Sequence, residues 1–424
     1  MRLWMSFVSC VLVISAGAAE FRVGVAVRDI TPTAEMPMWG YGARHDLAGS
    51  AGEEKLLAKA IVIDTGEDKL ALVGLDLGRS PTAASMERIK AAVLEQAKVN
   101  HLMLIGSHTH HGPVLELLDQ EGKGKGKFDY AVAYVGELET KLIESIVEAS
   151  SKVVPAKMGY ASAETDLNRN RHKKTEPKPR DGELAVIRFD DLEGKTLAVA
   201  VNFAAHPVTK SIMERTWSPD WPGVMYRGVE EALGTSCVFF QGAAGDMSPN
   251  TNDERKGTDG FGKAMAAKVI ELAQGIQTTV PATPGIESRQ DPFTFKTRIN
   301  LHEPIIQATF RQAFFPELLA MLDEMPDDTI KPQLVTTIVN NELAIVGGSG
   351  EFFCEHANRL KKDSKAKETF FFGYCNGHHM YFPTQEAITL GGYGADPAVS
   401  WVEPGAGEQM IDKALANIEE MVAQ

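Results

Sequence analysis

The feature that most constrains the fold is a series of short apolar runs separated by amphipathic segments. The runs are rich in Val, Ile and Leu and span residues 21–27, 58–63, 69–77, 102–105, 185–189, 197–203 and 237–240. Runs of this length and composition are typical of buried strands. Helical patterns alternate with them at residues 85–99, 130–150, 222–233, 261–273 and 409–422. Alternating strands and helices predict an α/β protein.

The N-terminus has the pattern of a secretory signal peptide. Arg2 precedes an apolar stretch at 7–14, and small residues follow at 15–19. We predict that residues 1–19 are removed, that the mature chain begins near Glu20, and that it is secreted or periplasmic. The stretch is too short to cross a hydrocarbon core of ~30 Å, and no later run reaches the ~20 apolar residues needed. We therefore expect no transmembrane segment.

The charge balance argues against nucleic acid as a partner. The chain has 43 Lys and Arg against 57 Asp and Glu, a formal net charge of −14. A phosphate backbone requires a basic surface, which this composition does not provide. After loss of Cys10, the cysteines Cys237, Cys354 and Cys375 allow at most one internal disulfide and set no framework.

Histidines follow two of the predicted strands. His108 and His110 follow the run at 102–105, and strand alternation would place both on one face with His111 on the other. The pair fits zinc ligands and hydrogen-bonded core histidines about equally well. His206 follows the run at 197–203, and the repeated pattern favours a site, because α/β folds gather active sites at strand ends.

Three later segments also place polar residues after apolar strands. Small residues at 242–245 precede Asp246 and Ser248, which fits either a turn or a backbone that closely approaches a ligand. Glycines precede Glu351, which suggests a carboxylate at a helix start, with helix capping as the alternative. Tyr381 lies beyond the run at 370–372 and fits either a site residue or plain core packing.

One strongly polar stretch interrupts the pattern. Residues 168–182 contain six Lys and Arg side chains and two prolines. We expect a solvated surface loop here.

Taken in order, these segments resemble the catalytic domain of the neutral and alkaline non-lysosomal ceramidases. The similar motifs are His-Thr-His at 108–110 with Gly-Pro at 112–113, Phe-Ala-Ala-His at 203–206, Gly-Asp-Met-Ser-Pro-Asn at 245–250, Gly-Glu-Phe at 350–352, and Cys-Asn at 375–376 followed by Tyr381. Gly-Tyr-Gly at 40–42 and Asn-Arg at 168–169 also find counterparts. The resemblance implies one large catalytic domain at 20–424, with mixed β-sheets flanked by helices.

The resemblance also implies the roles of individual residues. A zinc ion would be held by His108, His206, Glu351 and Tyr381, and Ser248 would be the nucleophile in hydrolysis of an N-acyl amide such as ceramide. His110 would stabilise the oxyanion or transfer a proton. Arg169 would bind the polar head of the substrate. Asp246, beside the substrate site, would orient the serine loop or a zinc ligand.

The chain departs from the family motif directly after its first histidines. His111 replaces a serine, and Val114 and Leu115 replace a pair of glycines. We expect these larger side chains to narrow access to the zinc and to favour short or single acyl chains over long-chain ceramide. Two alternatives are a zinc amidase or esterase acting on a shorter acyl substrate, and a non-catalytic binding protein on the same fold.

Overall fold

A computed structural model describes residues 20–423. It shows an α/β protein built on an eight-stranded and a four-stranded mixed sheet with helices packed against both. The predicted signal peptide lies outside the described residues. Within them, no helix is long and apolar enough to cross a membrane.

Each of the seven apolar runs between residues 21 and 240 is a strand of the eight-stranded sheet, and the run at 370–372 is in the second sheet. In spatial order the strands are Ser236–Gln241, Thr196–Phe203, Glu183–Asp191, Val154–Glu164, Arg22–Asp29, Leu57–Asp64, Lys69–Leu75 and His101–Gly106. The second sheet contains Ile286–Pro292, Gln333–Val339, Leu343–Gly348 and Glu368–Phe372 in that order. One hydrophobic core, which includes Leu72, Phe240 and Ile345, draws on both sheets.

The predicted helices are also present, with ends shifted by a few residues. The longer helices are Ala83–Ala97, Asp129–Ser151, Trp221–Leu233, Gly257–Gly275 and Ala406–Val422, and shorter ones are Pro304–Ala313, Cys354–Asp363 and Gln385–Leu390. Residues Pro316–Glu324 form a 3₁₀ segment. The first two helices share a core with the strands near residues 58–75, and the last long helix shares one with the second sheet.

Three pairs of parallel strands direct their carboxyl ends toward the site. Lys69–Leu75 lies parallel to His101–Gly106, Thr196–Phe203 to Ser236–Gln241, and Leu343–Gly348 to Glu368–Phe372. Loops at the carboxyl ends of parallel strands commonly form ligand sites. Here they bring together residues that are far apart in the sequence.

The polar stretch at 168–182 is not a solvated loop throughout, so that expectation was wrong for its beginning. Asn168–Asn170 forms a short antiparallel ladder with Met247–Pro249, in which Arg169 pairs with Ser248. Asn168 and Asn170 are buried because their side chains find partners inside the protein. Its middle residues, 174–178, are exposed as expected.

Candidate metal centre and active site

His108, His206 and Glu351 converge at the end of a cavity. The Nε2 atoms of His108 and His206 are 3.1 Å apart, and Glu351 Oε2 lies 3.3 Å from the first and 3.4 Å from the second. All three side chains are almost fully buried. Four ligands at the usual zinc bond lengths form a tetrahedron with edges of about 3.4 Å. The three donor atoms therefore have the spacing of one face of a zinc site.

Backbone carbonyls fix the protonation of both imidazoles. His108 Nδ1 lies 2.8 Å from the carbonyl oxygen of Gly78, and His206 Nδ1 lies 3.2 Å from that of Met247. A carbonyl oxygen only accepts, so each Nδ1 carries a proton, and in the neutral form of each ring Nε2 presents a lone pair to the site. Two lone pairs facing each other beside a carboxylate are favourable only with a cation or proton between them. The donor set therefore fits a metal ion.

The electrostatics of Glu351 and His206 fit metal binding. Burial would raise the pKa of the Glu351 carboxyl, but the imidazoles of His108, His206 and His378 hold it well below its usual value. Burial, with the nearby Arg171, lowers the pKa of His206 to about 3. An ionised carboxylate and a neutral imidazole are the forms that bind zinc.

The convergence of His108 and His110 does not arise from strand alternation, and that interpretation was wrong. The strand ends at Gly106, and His108 lies beyond it with a left-handed φ of 68°. His110 Nε2 nevertheless lies 3.4 Å from His108 Nε2, so the loop brings the two rings together. Burial and the neighbouring imidazoles hold the pKa of His110 well below its ordinary value.

Tyr381 reaches the site through a second strand pair. Glu351–Phe352 and Tyr381–Phe382 form a two-residue parallel ladder in which Glu351 pairs with Tyr381. Glu351 is thus in a strand, not at a helix start as its preceding glycines suggested, and the helix begins at Cys354. Burial and the nearby Glu351 raise the pKa of Tyr381 well above its ordinary value, so the phenol is protonated.

Arg171, and not Arg169, contacts the metal-site residues. Arg171 Nη2 lies 2.8 Å from His206 Nε2 and 3.0 Å from the Tyr381 hydroxyl, and it donates to the Gly245 carbonyl at 2.9 Å. Metal binding would replace its bond to His206. Arg169 is exposed on the ladder opposite Ser248. A role for Arg169 in binding substrate remains a prediction.

Ser248 and Asp246 lie beside the cluster. Ser248 follows Met247, whose carbonyl accepts hydrogen bonds from the backbone and ring of His206, and its side chain is buried. Within residues 20–423 its hydroxyl makes no hydrogen bond to the metal-site residues. The Asp246 carboxylate accepts from Asn170 Nδ2 at 2.5 Å and from the Cys354 amide at 2.7 Å. Asp246 thereby ties the serine loop to the segments that carry Arg171 and Glu351.

Two side chains that contact Glu351 were not predicted from the sequence. His378 Nε2 is 3.3 Å from Glu351 Oε1, and the Tyr374 hydroxyl is 3.4 Å from Oε2. His378 forms a second possible metal-binding group with His108 and Glu351. The signal that identified His206, a histidine after a buried strand, is also present for His378. The three described cysteines are free, buried thiols.

A cavity of about 260 Å³ opens from the metal-site residues. His108, His110, Glu351 and Tyr381 form one end, and the Pro304–Ala313 helix and the following 3₁₀ segment contribute mostly apolar side chains. The further lining residues include Trp39, Val114, Phe314, Phe315, Leu318, Met321, Met325 and Trp401. The cavity thus brings polar side chains of the candidate metal site next to an apolar space.

The expectation for His111 and Leu115 was wrong. Both are buried and neither lines the cavity, whereas Val114 does. His111 Nε2 instead lies 3.1 Å from Arg44 Nη2, and Arg44 also donates to the carbonyl of His110. His111 therefore supports the loop and does not narrow access to the metal site.

Comparisons with known proteins agree with this fold. The chain is 26% identical to a neutral ceramidase from Pseudomonas aeruginosa over 313 residues, which are 64% of this chain and 45% of that protein. It is 27% identical to a neutral ceramidase from Oryza sativa subsp. japonica over 53% of this chain and 30% of that protein. The chain therefore matches less than half the length of either relative.

Solved structures extend the match in three dimensions. The crystal structure of neutral ceramidase from Pseudomonas aeruginosa superimposes with a TM-score of 0.75 at 19% identity, covering 95% of this chain and 75% of that one. A structure described as ceramidase complexed with C2 gives a TM-score of 0.74 at 20% identity, covering 95% and 76%. At such identities the likeness establishes the fold.

The sequence profile of the family described as "Neutral/alkaline non-lysosomal ceramidase, N-terminal" matches residues 21–263, more than half of the chain. The chain belongs to the neutral/alkaline non-lysosomal ceramidase family.

Proposed function

We propose that this protein is a zinc-dependent amidohydrolase that cleaves the N-acyl amide bond of ceramide or a related N-acyl lipid. The observation that carries the proposal is the convergence of two neutral imidazole nitrogens and an ionised carboxylate at the end of an apolar cavity. Family membership supports amide hydrolysis as the reaction. Within the described chain, the cavity is where a substrate would meet these polar groups.

Zinc would be held by His108, His206 and Glu351, with Tyr381 as the proposed fourth ligand. When bound, zinc polarises a carbonyl and lowers the pKa of a coordinated water to about 7. His110 and Arg171 would not need to bind the metal. His110 lines the cavity, and Arg171 is bonded to the hydroxyl of Tyr381, which also lines it.

Ser248 is the proposed nucleophile: its Oγ would lose a proton and attack the amide carbonyl carbon, and the C–N bond would break as the leaving amine takes up a proton. Water would then hydrolyse the resulting acyl-enzyme to the free acid and serine. His110, neutral because it is buried, would take up or deliver a proton through its imidazole. Arg171 places a permanent positive charge next to the Tyr381 hydroxyl, where it would stabilise negative charge on the substrate oxygen. Direct attack by water remains the alternative to a covalent intermediate.

The size of the cavity favours a short or single acyl chain. Pockets for drug-sized ligands span about 300–1,000 Å³, and this cavity has about 260 Å³. A two-chain lipid would have to leave much of its hydrocarbon outside. This observation supports the second candidate, an amidase or esterase acting on a shorter acyl substrate.

The protein is proposed to act outside the cytoplasm, secreted or periplasmic, because of the signal-like sequence at residues 1–19. The mature chain would then meet N-acyl substrates in an oxidising compartment. Its free cysteines are buried, which protects them from oxidation there.

The test joins metal analysis to an amide-hydrolysis screen on the purified mature chain. We expect one zinc per chain, hydrolysis of N-acyl amides, loss of activity on chelation, and recovery on addition of zinc. A chain that binds zinc but hydrolyses neither amides nor esters would support the non-catalytic binding protein. A chain without zinc affinity would contradict the proposal.

A further inference from the structure

We propose that Trp39 is a positioning residue for the metal-site imidazoles, and that Glu116 and Arg79 hold its indole in place. The catalytic part of this inference rests on the proposed function. Its metal-binding part does not, because the same ring contacts act on the donor atoms whatever the substrate is. None of the three residues belongs to the motifs that carry the family resemblance.

Trp39 contacts three imidazoles of the site at once. Its ring centroid lies 5.0 Å from that of His108, 5.6 Å from His110 and 5.4 Å from His378, with interplanar angles of 68°, 87° and 88°. These are edge-to-face contacts at the distances that aromatic pairs prefer. Because the imidazoles come from two separate loops, a single indole sets the orientation of rings that the backbone does not connect.

The indole is held by a hydrogen bond at its only polar atom. Trp39 Nε1 donates to Glu116 Oε1 at 3.1 Å. The other carboxylate oxygen, Oε2, accepts from the Leu115 amide at 2.8 Å. Glu116 is therefore anchored at both oxygens and fixes the rotation of the Trp39 ring.

Arg79 neutralises and orients Glu116. Arg79 Nη1 donates to Glu116 Oε1 at 3.1 Å, and Arg79 Nε donates to the Ser80 carbonyl at 3.1 Å. Both side chains of the pair are buried, and Arg79 Nη2 also lies 3.7 Å from Glu324 Oε2. Removal of Arg79 would therefore leave the buried Glu116 carboxylate without its cationic partner. Arg79 thus orients Glu116, Glu116 orients the Trp39 indole, and the indole positions the imidazoles. We call this sequence the order of action.

Gly78 supplies the space that the indole needs. A Cβ built at Gly78 would lie 2.2 Å from the Trp39 ring, so a side chain there would displace the indole. The carbonyl of the same residue accepts from His108 Nδ1 at 2.8 Å. One loop residue therefore fixes the tautomer of His108 and also leaves room for the ring packed against it.

The experiment measures zinc affinity of the metal-free mature chain by competition with a chromophoric chelator. Trp39→Phe keeps an aromatic ring but loses the indole N–H and part of the contact area. We expect its zinc Kd to rise about tenfold, the lower end of the effects seen for residues that support metal ligands. The matched control is Trp217→Phe, which makes the same change at a buried tryptophan that does not line the cavity. Its Kd should stay within about twofold of the wild-type value.

A double-mutant cycle tests the order of action. Glu116→Leu removes the acceptor and should raise the Kd about as much as Trp39→Phe, whereas Glu116→Gln keeps an acceptor and should recover most of the affinity. In the Trp39→Phe background, neither Glu116 variant should have a further effect beyond about twofold. If Glu116→Leu does not fold, the comparison of Trp39→Phe with Trp217→Phe still decides whether Trp39 positions the imidazoles.

The same variants are then assayed for kcat/KM on an N-acyl amide, with parallel loss expected. Unchanged zinc affinity in Trp39→Phe, or losses that simply multiply in the double variants, would overturn the positioning role. If the wild type binds zinc but hydrolyses no amide, the proposed function fails while the affinities still decide the role of Trp39.

Discussion

Glu351 and Tyr381 are paired neighbours in a two-residue parallel ladder, so their side chains are delivered to the same place by backbone register. Glu351 contacts both metal-site imidazoles, and the Tyr381 hydroxyl contacts the arginine that reaches His206. The ladder is part of the fold core, since Phe352 and Phe382 stack in a buried cluster. Stability of the core and geometry of the site are therefore coupled here.

We expect His206→Ala to lose most of its bound zinc. The variant removes one of the three donor nitrogen and oxygen atoms that lie within 3.4 Å of each other, and the remaining donors no longer surround an ion. Metal analysis of the purified variant and wild type measures the loss directly. His101→Ala is the matched control. His101 begins the strand whose far end leads to His108, and its ring pairs with Asp68 away from the metal site. Equal zinc in His206→Ala and wild type would remove His206 from the ligand set.

We expect Ser248→Ala to keep its zinc and lose most amide hydrolysis. Ser248 makes no hydrogen bond to the metal donors in the described chain, so its removal should not affect metal affinity, while acyl-enzyme formation needs the hydroxyl. Zinc content and kcat are measured on the same preparation, with Ser151→Ala on the surface as the control. A kcat for Ser248→Ala within a few-fold of the wild-type value would show that water attacks the amide directly.

Seven of the eight strands of the large sheet were predictable because each is an apolar run. Most of these runs are buried on both faces, although Val27 in the first of them is exposed. The exception is Val154–Glu164, where alternating small and polar residues leave much of the strand partly exposed. No apolar run marks it, and its pairing with Glu183–Asp191 is a tertiary contact. Local sequence therefore indicated the other strands of this sheet and missed this one; it also missed Ile286–Pro292 and Gln333–Val339 in the second sheet.

The site was predictable only in part, for a related reason. Each histidine at a strand end has a local signal, but Arg171 does not, because Asn-Arg-Asn-Arg at 168–171 gives no local reason to prefer the second arginine over the first. Burial separates them, and burial depends on the ladder with Met247–Pro249. Trp39 was missed similarly, since its contacts join loops that are distant in sequence.

Asp76 should make the stability of the protein fall as pH rises from about 4 to 6. It is fully buried, and burial raises its pKa to about 6, even though Tyr226 and the Leu57 amide donate to its Oδ2 at 3.0 and 2.8 Å. The unfolded carboxyl has a pKa of about 3.9. The folded state thus binds more protons in this window, and the cost of ionising Asp76 is complete above pH 6.

Asp76→Asn isolates this contribution, because the amide oxygen still accepts both hydrogen bonds but does not ionise. The free energy of unfolding of the wild type minus that of Asp76→Asn should fall by up to roughly 3 kcal/mol between pH 4 and pH 7. Denaturant titrations at several pH values measure this difference, which removes the contributions of the other carboxylates. A difference that stays constant with pH would show that Asp76 is ionised throughout.

Substrate choice should depend on Val114 and the apolar wall, and not on His111. Val114 lines the cavity beside His108 and His110, and Leu318 and Met321 line it from the 3₁₀ segment. Val114→Gly and Met321→Ala remove side-chain volume from a cavity of about 260 Å³. We expect both variants to raise kcat/KM for longer N-acyl chains relative to short ones, since one methylene in an apolar pocket changes the ratio by roughly 10-fold or more.

His111→Ser is the informative comparison. The His111 imidazole is buried against Arg44, which also donates to the carbonyl of His110. The substitution should therefore lower stability and overall activity. It should not change the ratio of kcat/KM for long and short acyl chains. A chain-length series in detergent, assayed for wild type and all three variants, separates the two effects. If His111→Ser shifts the ratio toward long chains while Val114→Gly and Met321→Ala do not, the acyl chain does not occupy this cavity. A wild type that already prefers long-chain ceramide would contradict the size argument and favour the ceramidase over the short-acyl amidase.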